Sequence, residues 1–594
     1  MAQNSTQPTW DAAALATQLG KIAEQSQQLV QDFLLNRPDI ARLGMGDATT
    51  LGGAFIELTT QLIADPGAIA RAQIDLFNDS LRVWQTTAER WLGRDAGSEE
   101  PPPDKRFKYP DWTENAVFYF IKESYLIWAK ALLAVVRGVE GLDPVTARKV
   151  DFYTRQFVDA LSPSNFIATN PEVLAATLET GGQNLLHGLE NLLEDLQRGK
   201  GRLSITMTDM GAFRLGKNIA ATPGKVVFQN DLMQLIQYTP TTLEVRRRPL
   251  LIVPPWINKF YVLDLQPKNS FIKWAVDQGN AVFVISWVNP DEKLAEKSFE
   301  DYMKEGPLAA LDAIEVATGE RSVNAASYCL GGTLLTSTLA YMTARGDDRI
   351  ASATYFVTLV DFADAGDMAV FIDQEQLASL DERMKERGYL EAHDMAMSFN
   401  MLRANDMIWS YVVRNYFLGK EHAPFDLLYW NADSTRMPAA MHSYYLRNMY
   451  QMNLLAKPNG LSLSGVPLDL TKITTPTFIL SAREDHIAPW KSTYAATHLY
   501  KGPVKFVLAA SGHMAGVINA PGGKYGHWTN DKLPATSDQW FSGAVAQKGS
   551  WWPVWDEWVR GFASGQITAR QPGDGRLTVI EDAPGSYARV RSDA

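Results

Sequence analysis

Apolar and polar positions follow two different rhythms along this chain, and the change falls near Gly201. Before it, apolar residues recur every three or four positions. Leu15, Leu19, Ile22, Leu29 and Phe33 mark one face of a first amphipathic helix. A second helix is expected from about residue 51 to 92, and helices resume after the aromatic stretch "YPDWTENAVFYFIKESYLIW" and run to Leu196. Between them, residues 93–106 ("GRDAGSEEPPPDKR") carry enough glycine, proline and charge to exclude regular structure, so they read as a linker.

After Gly201 the apolar positions gather into short, continuous, β-branched runs, each followed by a loop and a helix-like segment. The runs are "PLLIVPPW" (249–256), "NAVFVISW" (280–287), "SVNAAS" (322–327), "SATYFVTLVD" (352–361), "PTFILSARED" (476–485) and "VKFVLAASGH" (504–513). Continuous runs alternating with helices predict a parallel sheet buried on both faces. The alternation lapses between Asp361 and about Tyr450, where a helical stretch rich in Met, Phe and Trp reads as a cap inserted over the C-terminal edge of the sheet. The expected organisation is a helical N-terminal domain over 1–205 and a catalytic domain over 206–594, with the cap at about 362–450.

Composition narrows this picture. A chain of 594 residues buries a large core, and 46% apolar with 21% charged residues is ordinary for a globular protein. The net charge of −11 leaves no basic excess for nucleic acid. The N-terminus, "MAQNSTQPTWDAAALATQLG", has neither a basic nor an apolar signal region, so no secretion signal is expected. The greasiest helical stretch, residues 125–136, is too short for a bilayer and contains Lys130, so no transmembrane segment is expected. The 17 tryptophans need apolar partners, in a core, an interface or an apolar ligand.

A single cysteine, Cys329, excludes an internal disulfide and suits a reducing cytoplasm. It stands in "ASYCLGG", directly after a strand-like run. Strand, tight turn and helix, with small residues two before and two after a nucleophile, form the nucleophile elbow of α/β-hydrolases. Gly331 and Gly332 supply one side and Ser327 the other. Such a turn sets the thiol at a helix N-terminus and offers the Leu330 N–H to an oxyanion. The fold then requires an acid and a histidine after later strands. Asp485 closes "PTFILSARED" and His513 closes "VKFVLAASGH", 28 residues on. Asp361 is a rival acid. His486 neighbours Asp485, and strand alternation points it away as a structural or rim histidine. His187, His393, His422, His442, His498 and His527 fall in presumed helices or loops without metal-ligand spacing, so no metal is expected. Arg246, Arg247 and Arg248 precede a strand and read as a solvated face at the opposite edge.

Seven stretches together resemble the class I polyhydroxyalkanoate synthases, the poly(3-hydroxybutyrate) polymerase family. They are "SPSNFIATNPEVL", "TPGKVVFQNDLMQLIQY", "PPWINKFYVLDLQPKNS", "SYCLGGT", "SAREDHIAPW", "ASGHMAGVIN" and "GSWWPVWDEWV". The family's catalytic cysteine, aspartate and histidine fall on Cys329, Asp485 and His513; its pattern has glycine where Ser327 stands. The resemblance implies an α/β-hydrolase fold and polymerisation of short (R)-3-hydroxyacyl-CoA, chiefly 3-hydroxybutyryl-CoA, through an acyl-cysteine with CoA released and no cofactor. It also implies a cytoplasmic homodimer at the surface of polyester granules, with granule-associated protein partners through the N-terminal domain. The second oxyanion donor would come from the loop after residues 249–253. Pro254 and Pro255 have no N–H, which leaves Trp256 or Ile257, and plain packing explains Trp256 as well. Two other readings stay open: a cysteine hydrolase of esters or lactones, and a non-enzymatic coat of apolar inclusions.

Overall fold

The structure, a computed structural model, describes residues 57–58, 66–92 and 104–592. The first amphipathic helix, residues 59–65 and most of the linker lie outside the described residues. The chain divides into two compact units, Met1–Asp209 with Arg403–Ala423, and Met210–Leu402 with Pro424–Ala594.

The first unit is helical. Its longer helices are α1 (Pro66–Trp91), α2 (Ala116–Arg137), α3 (Pro144–Ala160), α4 (Pro171–Glu179) and α5 (Gln183–Arg198). The starts follow from local chemistry. Asp143 and Asn170 cap the orphan N–H groups of α3 and α4 with their side chains, and each is followed by proline, whose missing N–H costs nothing there. Asp104, at the end of the expected linker, caps a short 3-10 turn over Lys105–Phe107. Phe107, Trp112, Phe118, Tyr125, Ala129 and Val158 form one core of this unit.

Residues 403–423, placed by the sequence reading inside the cap, belong to this helical unit. The reason is polar as well as apolar. Asn184 donates to the Phe417 carbonyl (2.7 Å), Asn191 to that of Asn415 (3.1 Å), and Tyr416 to Asp195 (2.6 Å). Gly188 lets the Tyr416 backbone approach so closely that a Cβ would lie 1.9 Å from its carbonyl oxygen.

The second unit is built on an eleven-stranded sheet. In chain order its strands are β1 (Gly224–Gln229), β2 (Met233–Tyr238), β3 (Leu250–Val253), β4 (Val282–Trp287), β5 (Val323–Tyr328), β6 (Ile350–Phe356), β7 (Thr477–Ala482), β8 (Val504–Ala509), β9 (His527–Thr529), β10 (Val545–Gln547) and β11 (Glu581–Asp582). The spatial order is β10-β9-β8-β7-β6-β5-β3-β4-β2-β1-β11, and β4-β3-β5-β6-β7-β8 run parallel. All six expected strands are present, and the helical elements between them make this the expected α/β-hydrolase architecture. The sequence reading passed over β1 and β2, an antiparallel hairpin, and the short β9 and β10.

Alternate residues of the parallel strands feed two cores, one per face. Leu251, Val253, Phe283 and Ile285 enter one; Leu250, Ile252, Val282 and Val284 enter the other. Several tryptophans answer to core packing: Trp112, Trp256, Trp540, Trp551, Trp552 and Trp555 are fully buried, whereas Trp84 and Trp91 are exposed. Arg246 corrects an expectation. It is buried, not solvated, and pairs with Asp556 at 2.6 Å while donating to Asn280; Arg247 is exposed as expected. Among the described residues no helix is long and apolar enough to cross a membrane.

Candidate active site

The parallel registers bring the ends of several strands into one line. Val253 pairs with Ser327, Tyr328 with Phe356, Leu480 with Phe356, and Ala482 with Ala509. Whatever follows β3, β5, β7 and β8 therefore emerges at the same edge. Cys329 follows β5, Asp485 β7 and His513 β8.

Cys329 occupies a strained turn. Its φ of 50° and ψ of −121° lie in a region that costs a non-glycine residue about 1–3 kcal/mol. Neighbours hold it there: its N–H donates to the Phe356 carbonyl (2.9 Å), and its own carbonyl accepts from the Gly332 N–H (2.9 Å) and the Thr358 hydroxyl (3.1 Å). The helix that it caps, α6 (Leu330–Arg345), starts so close to the end of β3 and to Thr358 that both glycines are steric requirements. A Cβ on Gly331 would lie 2.1 Å from the Val253 carbonyl oxygen, and one on Gly332 2.1 Å from the Thr358 hydroxyl. Ser327 is fully buried, and its hydroxyl donates to the Thr354 carbonyl at 2.8 Å. A serine fits here because β6 supplies its acceptor.

Asp485 is buried, and both of its oxygens are engaged. One accepts from the N–H groups of Ile487 (2.8 Å) and Ala488 (2.9 Å); the other lies 2.7 Å from His513 Nδ1. With Nδ1 turned to the carboxylate, the other ring nitrogen of His513 is left for the hydrogen bond that links this side chain to Cys329. Burial works against a charged ring at His513. The charges of Asp485 and Cys329, with hydrogen bonds to both, outweigh burial and raise its pKa to about 10.

The loop that carries His513 is fixed from behind by α7 (Trp552–Arg560) and the residue before it. Trp551 donates to the Gly516 carbonyl and Trp552 to that of Val517, each at 2.9 Å. Asp361, the rival acid, is instead taken up in a loop contact, accepting from the Ala363 N–H (3.0 Å) and Asn453 (2.7 Å). His486 is half-buried beside Asp485. His527, expected in a helix or loop, lies in β9, because the strand is too short to leave an apolar run.

Leu330 opens α6, and Trp256 and Ile257 lie in the loop that leaves β3 alongside it. Sequence reasoning missed Tyr445, Tyr450 and Phe362. The Tyr445 and Tyr450 rings meet edge to face at 5.5 Å, and Phe362 contacts Tyr450 at 4.9 Å. Burial is the main reason that both phenols are pushed up, and the charge of Cys329 adds to it in each. Tyr445 and Tyr450 give the partly buried thiol an aromatic neighbourhood. Their only sequence signal was the aromatic richness of the cap.

Comparison with known proteins follows the same line. Residues 103–275 match the family described as "Poly-beta-hydroxybutyrate polymerase (PhaC) N-terminus", and residues 248–520 match the alpha/beta hydrolase fold. The chain is 52% identical to a poly(3-hydroxyalkanoate) polymerase of Methylorubrum extorquens, over 89% of this chain and 88% of that protein. It is 50% identical to a poly(3-hydroxyalkanoate) polymerase subunit of Rhizobium meliloti (89% and 87%) and 41% identical to one of Cupriavidus necator (92% and 93%).

Two outcomes follow from the geometry. Ser327→Gly should keep activity and cost about 1 kcal/mol of stability for the lost hydroxyl bond, read by urea unfolding. Ser327→Val, forced into a site with no free volume, should lower activity by about tenfold or more; an unimpaired valine variant would show that the turn is looser than described. The second outcome concerns pH. An ordinary imidazole titrates near 6.5 and His513 near 10. The folded state thus keeps a proton that the unfolded chain releases between those values. The stabilisation is fully present below about pH 6.5 and is lost as pH rises through about 10. Melting temperatures should therefore fall more steeply between pH 7 and 10 for the unaltered chain than for His513→Gln; parallel curves would contradict the assignment.

Proposed function

The chain belongs to the poly(3-hydroxyalkanoate) polymerase family, and from that premise we propose that it joins short (R)-3-hydroxyacyl groups, chiefly 3-hydroxybutyryl, from their CoA thioesters into polyester through an acyl-Cys329. The observation that carries this reading is the convergence of one strained cysteine, one raised histidine and one fully engaged aspartate at a single sheet edge.

The chemistry suits a thiol. His513 takes the proton of Cys329, and the thiolate attacks the thioester carbonyl. Exchange of one thioester for another is nearly isoenergetic. The tetrahedral oxyanion is met by the Leu330 N–H and by that of Trp256 or Ile257. When the intermediate collapses, the C–S bond to CoA breaks and His513 returns its proton to the leaving sulfur. CoA is the leaving group, and no cofactor takes part.

Acylation then changes the histidine. The charge of Cys329 and its hydrogen bond are two of the causes that raise His513. Both vanish in the acyl-enzyme, so the ring gives up its proton more readily and can act as a base. It draws the proton from the hydroxyl of a second 3-hydroxyacyl group, whose oxygen attacks the acyl-cysteine carbonyl and forms the ester. Asp485 holds the ring in the tautomer that this requires. The growing polyester, gathered as a granule, and a second copy of the chain are the partners that family membership implies.

Cys329→Ala should abolish both CoA release from 3-hydroxybutyryl-CoA and the turbidity of polymer while leaving the circular dichroism spectrum unchanged. Turnover in that variant would refute the mechanism, and free 3-hydroxybutyrate in place of polymer from the unaltered chain would make it a hydrolase. Asp485→Asn separates the two half-reactions. Removing a proton from a secondary alcohol needs the carboxylate far more than removing one from a thiol. This variant should release about one equivalent of CoA per site in a burst and then stall with added mass on Cys329. An equal loss in both phases would make Asp485 a structural support only.

A further inference from the structure

The segment that leaves β3 has no regular structure up to Lys259, yet several polar contacts fasten it and the turn that follows. The Pro254 carbonyl accepts from Trp287 Nε1 (2.8 Å). The Trp256 carbonyl accepts from the Thr435 hydroxyl (2.9 Å), and that same oxygen accepts the Asn258 N–H (2.8 Å). Trp430 Nε1 donates to the Lys259 carbonyl (2.7 Å). The Lys259 ammonium pairs with Asp433 at 2.7 Å, with side-chain exposures of 2% and 0%. Tyr261 donates to the other Asp433 oxygen, also at 2.7 Å. Apart from Trp287, every partner lies within residues 430–435.

One of these bonds bears on the oxyanion. The Trp256 carbonyl and the Ile257 N–H belong to the same peptide unit, which is planar and trans, so the two point in opposite directions. A hydrogen bond that fixes the carbonyl therefore fixes the direction of the N–H. It also polarises the unit and makes the N–H a stronger donor. The Thr435 oxygen grips the chain on both sides of Ile257, through the carbonyl before it and the N–H after it. Asn258 needs that grip, since its φ of 60° is a left-handed conformation that a non-glycine residue keeps only when its surroundings impose it. The Trp256 ring, meanwhile, is spent on packing against Trp287, Phe299, Tyr302 and Tyr445. The start of the loop also abuts the nucleophile turn, because a Cβ on Gly331 would lie 2.7 Å from the Pro254 carbonyl carbon.

We infer that Ile257 N–H, rather than Trp256 N–H, is the second oxyanion donor, and that Thr435 is the positioning residue that aims it, with the buried Lys259–Asp433 pair anchoring the same loop. The inference rests on the acyl-cysteine reading above. Its test uses two reactions of one sulfur. Acylation by 3-hydroxybutyryl-CoA passes through an oxyanion, whereas alkylation by iodoacetamide does not. Thr435→Val should slow single-turnover acylation of Cys329 by about a hundredfold, the lower end of what loss of one such donor costs, and leave alkylation within about threefold. Thr435→Ser, which keeps the hydroxyl, should acylate at close to the original rate. If the valine variant folds poorly, Thr435→Ala removes the same hydroxyl with less bulk and is read in the same way. Acylation by the valine or alanine variant at the original rate, an equal fall in acylation and alkylation, or failure of serine to restore acylation would each overturn the inference. If the unaltered chain is alkylated but never acylated, the functional reading falls and takes the inference with it. If it is acylated and Thr435→Val keeps pace, the inference alone falls.

Discussion

The backbone of Cys329 cannot relax, and the arrangement of the second unit follows from that constraint. A left-handed residue between a strand and a helix would normally unwind toward lower energy. Here the helix after it is pressed against the end of β3, and the two glycines that allow the approach also leave no room for another path. The Cys329 N–H is held by the end of β6 and its carbonyl by Thr358, just beyond the same strand. The strain is thus met by packing on both sides of β5, and the thiol is presented where the two cores of the sheet meet. A thiol held this way has little backbone freedom left to lose.

The parallel registers then do for Asp485 and His513 what the turn does for Cys329. A carboxylate buried to this extent is destabilising unless its oxygens are satisfied, and Asp485 satisfies both, through two backbone N–H groups and the imidazole. The His513 loop is pinned from behind by Trp551 and Trp552. Trp555, one turn further along α7, reaches the Thr354 hydroxyl of β6, whose carbonyl receives Ser327. One tryptophan-rich helix therefore supports the histidine loop and the strand beside the elbow. That is a physical reason for the density of tryptophan in "GSWWPVWDEWV" beyond filling a core.

Much of this was legible because it rests on short-range rules. Continuous apolar runs marked the six parallel strands, and the order of cysteine, aspartate and histidine after their strands picked out three side chains that the fold brings together. What was not legible depends on partners distant in sequence. Arg246 looks solvated until Asp556, 310 residues away, is brought beside it. Residues 403–423 read as cap because their helical pattern carries no record of Asn184, Asn191 and Asp195, the side chains that claim them. The short strands β9 and β10 are three residues each, too short for any periodicity to show. Tyr445 and Tyr450 matter through their nearness to Cys329, which nothing in their own neighbourhood reveals. The hairpin of β1 and β2 is a different case. Its two apolar runs flank a turn at Asn230, whose side chain accepts from the N–H groups of Leu232 and Met233, and that signal was present to be read.

The burial of the site also bears on why a thiol suits the proposed chemistry. In the proposed acylation a thiolate and an imidazolium form beside a buried carboxylate, among aromatic rings that screen charge poorly. After acylation the sulfur is neutral, and the imidazole has returned its proton to the departing CoA. A pair of charges has left a low-dielectric pocket, and the neutral acyl-cysteine suits apolar surroundings better than the ion pair it replaces. Burial by itself thus works against the transient ion pair and toward retention of the acyl group, while the Asp485 carboxylate supports the imidazolium. A site open to water would solvate the thiolate and remove that bias, and it would expose the acyl-cysteine to hydrolysis. On this argument the aromatic rings of Tyr445 and Tyr450, backed by Phe362, would favour the neutral acyl-cysteine that the proposed chain growth requires.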